Sequence, residues 1–151
     1  MAFFDGASII GGLNCGAGGI IKCSESLVYI CYFNCGEGAH TKAELLGAWA
    51  TLTLAKHLNT QNIHILRDSK VIIDWLNHKR KLQAIDIEGW KHRILELSTT
   101  FQGICFQHIY MEFNEEAHLL SKHALLEPKG RLPYFTWEGG TVRPPFHIEV
   151  F

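Results

Sequence analysis

Apolar residues follow two different periods along the chain, and these periods predict its elements. Runs rich in Phe, Ile, Val and Tyr that are bounded by Gly, Asn or Asp are typical of strands. They predict strands at 2–9, 17–23, 27–33, 62–67 and 103–110. Apolar residues three and four positions apart are typical of helices that bury one face. They predict helices at 41–58, 69–77, 87–101 and 114–125.

The order of these elements indicates the architecture. Three strands in succession favour an antiparallel meander, and the later strands alternate with helices. The sequence therefore predicts an α/β fold with a five-stranded mixed sheet flanked by helices, in which each strand–helix–strand step crosses right-handed. We expect one domain at residues 1–126, because Pro, Gly and aromatic residues dominate the extension at 127–151.

The C-terminal extension has a pattern of its own. Residues 135–142 predict a small hairpin that turns at Gly139 and Gly140. Its aromatic side chains have two alternative roles. They dock on their own domain, or they stack on nucleic-acid bases.

Length and composition are those of one ordinary globular domain. The chain has 151 residues, of which 47% are hydrophobic and 19% charged. It lacks an apolar run long enough to cross a membrane and a secretory leader at its N-terminus, so we expect no membrane partner. Five widely spread cysteines without a C-x-x-C pair favour reduced thiols, and hence a cytoplasmic or nuclear location.

The net charge of −1 lacks the basic excess that phosphate neutralisation favours. One basic run stands out, at the end of a predicted helix: His78, Lys79, Arg80 and Lys81. These cations either stabilise the C-terminus of the helix or contact phosphates. Three further residues could join them in one basic face: Lys91, His92 and Arg93.

Three carboxylates stand where apolar segments meet small or polar residues. Asp5 lies in Phe-Phe-Asp-Gly-Ala-Ser, Glu44 in Thr-Lys-Ala-Glu-Leu-Leu, and Asp68 in Ile-Leu-Arg-Asp-Ser-Lys. We expect both aspartates at strand ends and Glu44 in the first turn of a helix. Each residue alone fits a turn cap or a helix-dipole acid. Together they offer the hard oxygen ligands that Mg²⁺ or Mn²⁺ sites need.

In their order and spacing these residues resemble the ribonuclease H superfamily. The resemblance covers residues 2–125 and is closest to the plant reverse-transcriptase-associated ribonuclease H domains. It rests on four segments: Phe4-Asp5-Gly6-Ala7-Ser8 with the glycine-rich turn into Gly16-Ala17-Gly18-Gly19-Ile20, then Ala43-Glu44-Leu45, then Asp68-Ser69, then His108-Ile109 with Glu112, Asn114 and Ala117.

The resemblance implies hydrolysis of the RNA strand of RNA–DNA hybrids by two divalent ions, Mg²⁺ or Mn²⁺, held by Asp5, Glu44 and Asp68. It also implies a possible reverse transcriptase partner domain in a longer retroelement polyprotein. Hybrid contacts are expected from Gly6, Ser8, Thr41, Ser69, Lys79, Arg80, Lys81, His108 and Asn114. His108 either assists proton transfer and product release or is an ordinary strand histidine. Glycines within 11–19 either approach the nucleic-acid backbone or form a flexible loop.

One position departs from the family pattern. The fourth metal-binding acid is expected after Ala117, but the residue there is His118. We expect His118 to point into the acidic cluster and to act there as the fourth metal-binding and catalytic residue, which offers the ion one nitrogen but no anionic oxygen. A neutral imidazole is a poor Mg²⁺ ligand and a better Mn²⁺ ligand, so we expect reduced activity. Glu115, one helical turn earlier, is a possible substitute acid. The alternative is a catalytically impaired domain that binds nucleic acid or a partner.

Overall fold

A computed structural model describes residues 1–9, 14–38, 40–68, 70–77, 85–127, 131–143 and 145–149. The strands are β1 (Ala2–Ser8), β2 (Cys15–Lys22), β3 (Leu27–Gly36), β4 (Asn62–Arg67), β5 (Gly103–His108), β6 (Arg131–Glu138), β7 (Thr141–Val142) and β8 (Phe146–Glu149). The α-helices are α1 (His40–His57), α2 (Lys70–Leu76), α3 (Ile85–Ser98) and α4 (Glu115–His123), with short 3₁₀ turns at Met111–Phe113 and Ala124–Leu126.

The described strands form one mixed sheet with the order β5-β4-β1-β2-β3-β6-β7, and β8 pairs with β6. β1, β2 and β3 form the predicted antiparallel meander. β4 is parallel to both β1 and β5. The predicted α/β fold is therefore confirmed, although the sheet contains three more strands than the five expected.

The helix α1 forms the centre of the core against β1, β2 and β3. It buries residues on almost every side, including Leu45, Leu46, Leu52 and Leu54, none of which has exposed surface. One face lies on the sheet, and α3 covers another, where the Trp49 and Trp90 rings meet at 5.7 Å. An α-helix that is apolar all round needs such cover on several sides.

Glycines in β1 and β2 let helices approach the sheet closely. A Cβ at Gly6 would lie 2.2 Å from the carbonyl carbon of Ala43 in α1. On α4, a Cβ at Gly18 would lie 2.7 Å from the Leu120 Cβ, and one at Gly16 would lie 2.4 Å from the Ser121 carbonyl oxygen. Gly6, Gly16 and Gly18 therefore serve helix–sheet packing. Gly11 and Gly12 lie outside the described residues, and nucleic-acid contact by the glycines within 11–19 stays a prediction.

The C-terminal extension continues the sheet past residue 126. β6 pairs with β3 from Leu27↔Glu138 to Cys31↔Tyr134. The hairpin predicted at 135–142 is present, with both Gly139 and Gly140 at positive φ. Leu132 is fully buried, and the Tyr134 ring lies 5.6 Å from the His57 ring of α1 and 6.4 Å from the Tyr29 ring of β3, so these two side chains dock on their own domain. Phe146 stacks on Tyr134 and is largely exposed.

No helix within the described ranges is long and apolar enough to span a membrane. All five cysteines are free; three of them are buried and two, Cys23 and Cys105, are exposed.

We predict that Gly6→Ala destabilises the domain strongly, whereas Gly89→Ala does not. The new Cβ at position 6 would meet the α1 backbone, which cannot move without disturbing the core, and such overpacking costs about 1–3 kcal/mol or more. Gly89 lies in α3 with nothing within 4 Å of the position of its Cβ, so alanine there should add up to about 1 kcal/mol. Urea unfolding of both variants measures the difference, and equal midpoints would contradict the close packing of α1 on β1.

Candidate active site

Three carboxylates meet around one guanidinium at the junction of β1, α1 and β4. Arg67, the last residue of β4, contacts all three. Its Nη2 lies 2.7 Å from Asp5 Oδ1 and also donates to Glu44 Oε1. Its Nη1 contacts Asp68 Oδ1. We call Asp5, Glu44, Asp68 and Arg67 the acid–arginine cluster.

The cluster is largely withdrawn from solvent. The Arg67 side chain is 4% exposed, that of Asp5 3% and that of Glu44 8%. Asp68 is more open, at 13%. Because charges removed from water lose hydration, carboxylates in this position need cations or hydrogen-bond donors as partners.

Two of the acids occupy different places from those expected. Asp5 lies in the middle of β1, opposite Gly18, and not at a strand end. It is tolerated inside the sheet because Arg67 and His118 both contact its carboxylate. α1 begins at His40, so Glu44 lies in its second turn and not its first. His40 is one turn earlier, and its Nε2 lies 3.0 Å from Glu44 Oε1.

His118 points into the cluster from α4. Its Nδ1 lies 2.9 Å from Asp5 Oδ2, while 42% of its side chain remains exposed. Asp5 Oδ1 also accepts a hydrogen bond of 2.7 Å from the Gly6 backbone N–H, so both oxygens of Asp5 are engaged. Glu115 is exposed, and Glu116 pairs with Lys22 at 3.2 Å. The possible substitution of the fourth acid by Glu115 stays a prediction.

Asn114 and His108 lie beside Asp68. Asn114, which is 2% exposed, donates through Nδ2 to the Phe4 carbonyl at 3.0 Å and to Asp68 Oδ1 at 3.5 Å. His108 ends β5 and is exposed, with Nε2 3.1 Å from the Asp68 carbonyl oxygen. Asn114 therefore ties α4 to β1 and to the cluster. Direct hybrid contacts by either residue stay predictions.

Burial raises the pKa of the Glu44 carboxyl above its ordinary value. Arg67 and His40 oppose this effect because each favours the charged form, and Asp5 adds to it through like-charge repulsion. The upward direction of the Glu44 pKa shift shows that burial outweighs the opposing effects of Arg67 and His40.

The other residues expected to contact nucleic acid differ in their exposure. Ser8 and Thr41 are half-buried, and Gly6 is buried beneath α1. Ser69, Lys79, Arg80 and Lys81 lie outside the described residues. The basic face needs a correction, because Lys91 is 7% exposed and so contributes little to a surface. His92 and Arg93 are exposed, and the Arg93 guanidinium lies 4.8 Å from the centre of the Trp90 ring.

Sequence reasoning missed Arg67. From the sequence it was named only as the residue before Asp68, and it was assigned no role. The signal that could have found it is a cation at the end of the predicted strand at 62–67, next to an acid already expected in a site. A buried arginine is rarely tolerated without carboxylates beside it.

Comparison of the sequence with family models decides the family. The model of the reverse transcriptase-like family matches residues 3–124, which is most of the chain. This chain belongs to the reverse transcriptase-like family. The resemblance to the ribonuclease H superfamily is confirmed, because a similar solved structure at 25% identity is a ribonuclease H1. No curated protein matches the sequence significantly.

Three solved structures illustrate the shared fold. Ribonuclease H1 from the halophilic archaeon Halobacterium salinarum is 25% identical, with a TM-score of 0.78 over 82% of this chain and 95% of that one. The N-terminal ribonuclease H domain of a Mycobacterium tuberculosis protein is 20% identical, with a TM-score of 0.72 over 82% and 92%. LC11-RNase H1, solved in complex with an RNA/DNA hybrid, is 17% identical, with a TM-score of 0.75 over 82% and 94%.

The divalent ions expected for this reverse transcriptase-like domain do not fit the cluster as it stands. Hard carboxylate oxygens suit Mg²⁺, but Arg67 contacts one oxygen of each acid. Among the residues that the structure describes, no group of three or more His, Cys, Asp or Glu side chains is arranged to hold a metal ion. The acids expected as ligands are therefore close together, but around a guanidinium.

Proposed function

We propose that this chain binds RNA–DNA hybrids and hydrolyses their RNA strand slowly, as an endoribonuclease of the ribonuclease H type. The observation that carries the proposal is the convergence of Asp5, Glu44 and Asp68 from β1, α1 and β4. Acids brought together from three separate elements are a feature of sites built for charged or polar chemistry, because their mutual repulsion opposes folding.

The fold and a structural neighbour support the choice of substrate. The matched part of the chain, residues 3–124, contains β1 to β5 and α1 to α4. LC11-RNase H1, which has the same fold, is solved with an RNA/DNA hybrid. We propose the same class of ligand for this chain.

Two features of the cluster account for slow hydrolysis. His118 brings an imidazole nitrogen to Asp5, where a fourth carboxylate would bring an anionic oxygen. Arg67 engages all three remaining acids, so an ion could bind these oxygens only after the guanidinium leaves them. We therefore propose Mg²⁺ or Mn²⁺ as the cofactor only for a state in which Arg67 has moved.

The second candidate function is hybrid binding without cleavage. It is favoured by the same Arg67 contacts, because a buried guanidinium with three carboxylate partners is a stable arrangement that costs energy to open. A domain of this kind would keep the ribonuclease H fold and its nucleic-acid-binding surface. It would act by remaining bound to the hybrid, or by binding a partner such as a reverse transcriptase domain.

We predict slow cleavage of a labelled RNA–DNA hybrid, faster with Mn²⁺ than with Mg²⁺, since imidazole is a better ligand for manganese. His118→Asp should raise the Mg²⁺-dependent rate about tenfold or more. A fourth carboxylate supplies a hard ligand, and its negative charge helps the dication to compete with Arg67 for the acids. Single-turnover cleavage with single-stranded RNA and RNA duplex as control substrates measures both effects.

Asp5→Asn is the matched control for contaminating nuclease, because it removes one charged ligand with little change in shape. Cleavage that persists unchanged in Asp5→Asn does not come from this site and would contradict the proposal. Hybrid binding by the native chain without cleavage in the native chain or in His118→Asp would support the second candidate. Failure of the native chain to bind a hybrid would contradict both.

We predict that the basic run at 78–81 contributes to hybrid affinity through phosphates. Replacing Lys79, Arg80 and Lys81 by alanine should weaken binding, and each lost contact should lower the slope of log affinity against log salt by about one unit. Fluorescence anisotropy at several salt concentrations measures this slope. Lys22→Ala is the matched control, because Lys22 is already paired with Glu116. Unchanged affinity and slope in the triple variant would show that the run only ends a helix.

A further inference from the structure

The guanidinium of Arg67 occupies the place among the acids that a metal ion needs. We infer that Arg67 is the built-in cation of this site, which compensates the charge of Asp5, Glu44 and Asp68 and competes with divalent ions for their oxygens. The inference deepens the proposed function and rests on it for the consequence that hydrolysis is slow. The contacts that carry the inference are independent of any activity.

Among the residues that the structure describes, the ion pairs of Arg67 are with the three acids. Nη2 lies between Asp5 Oδ1 and Glu44 Oε1, and Nη1 is against Asp68 Oδ1. Its Nε is buried with no hydrogen-bond partner among the described residues. The two terminal nitrogens thus carry the described bonds of the side chain, and these point into the acidic centre.

The charge of the cluster shows why a cation is required. Three carboxylates contribute −3 and the guanidinium +1, which leaves −2 among side chains that are mostly buried. His118 and His40 each bring a ring nitrogen within 3.0 Å of an acid. Since a guanidinium does not lose its proton in proteins, Arg67 gives compensation that is permanent.

A metal ion and Arg67 are mutually exclusive at these oxygens. Mg²⁺ requires oxygen lone pairs at about 2.0–2.1 Å in near-octahedral geometry. The oxygens that face the centre each contact a terminal nitrogen of Arg67, and Asp5 Oδ2, on the other side of that carboxylate, contacts His118. A guanidinium offers no lone pair to a metal, so it can only repel a dication placed beside it.

The position of Arg67 in the sheet directs its side chain toward the three acids. β4 lies between β1 and β5, and Arg67 is paired in register with His108. The hydrophobic residue two positions earlier, Ile65, is fully buried in the core. The strand therefore delivers the side chain of residue 67 to the buried side of the junction, where an arginine reaches the acids.

The test compares the melting temperature of the full chain in EDTA and at increasing MnCl₂. The native chain should shift by less than about 1 °C, because Arg67 already holds the oxygens. Arg67→Gln should melt lower than the native chain in EDTA, since its acids are uncompensated. It should then rise by roughly 5 °C or more when Mn²⁺ reaches about a hundredfold its Kd.

Two matched variants separate charge from shape. Arg67→Lys keeps the positive charge and should remain insensitive to Mn²⁺. Arg143→Gln removes an exposed arginine that pairs with Glu138 at 2.8 Å, and should behave like the native chain. Calorimetric titration of Mn²⁺ into each protein gives the stoichiometry and Kd directly, with much tighter binding expected for Arg67→Gln than for the native chain, Arg67→Lys or Arg143→Gln.

A saturable rise in the native melting temperature with Mn²⁺ would overturn the inference. So would an Arg67→Gln protein that folds but gains nothing from the ion, or one that stays unfolded both in EDTA and in Mn²⁺. If Arg67→Gln folds only with Mn²⁺, the ion has replaced the guanidinium as the inference requires. No nucleic acid is used, so this test can fail while hybrid cleavage succeeds, and the reverse.

Discussion

The mutual repulsion of three closely placed carboxylates is the constraint that the rest of the site must satisfy. Asp5, Glu44 and Asp68 come from different elements, and each loses much of its hydration on folding. Removing one partner from such a buried charged group typically costs about 3–5 kcal/mol, because the remaining charge is left without compensation. Arg67 satisfies this constraint in the structure by contacting all three.

The packing around the cluster holds the acids in place. α1 lies so close to β1 that the positions of Gly6 and Gly47 leave no space for a Cβ, and this fixes Glu44 relative to Asp5. Asn114 connects β1 to Asp68 at the start of α4, and His118 follows one turn later. The acids therefore cannot separate easily, and Arg67 relieves their repulsion where they stand.

The strands, the helices and the meander could be predicted from sequence because they depend on local periods of apolar residues. Asp5 was expected at a strand end, because a strand interior is unfavourable for an unpaired acid. Its partners Arg67 and His118 are distant in sequence, and no local pattern indicates that they stabilise it in mid-strand. The convergence of the three acids came from a family resemblance and not from any local pattern. Arg67 could not be placed, because its side-chain direction depends on where β4 ends in the sheet.

The extension was harder to predict for a similar reason. Its hairpin is local and follows from Gly139-Gly140, but the pairing of β6 with β3 joins residues more than a hundred positions apart. A run of Pro, Gly and aromatic residues does not indicate which strand of the sheet it will pair with. Leu132, fully buried, is an apolar residue that could have indicated docking.

The most direct test of the account is a crystal structure of the native chain grown in MnCl₂, with diffraction data collected to show the anomalous signal of manganese. The account predicts the Arg67 guanidinium against Asp5, Glu44 and Asp68, with no anomalous peak among them. A manganese peak coordinated by these carboxylates, with Arg67 turned away, would contradict it.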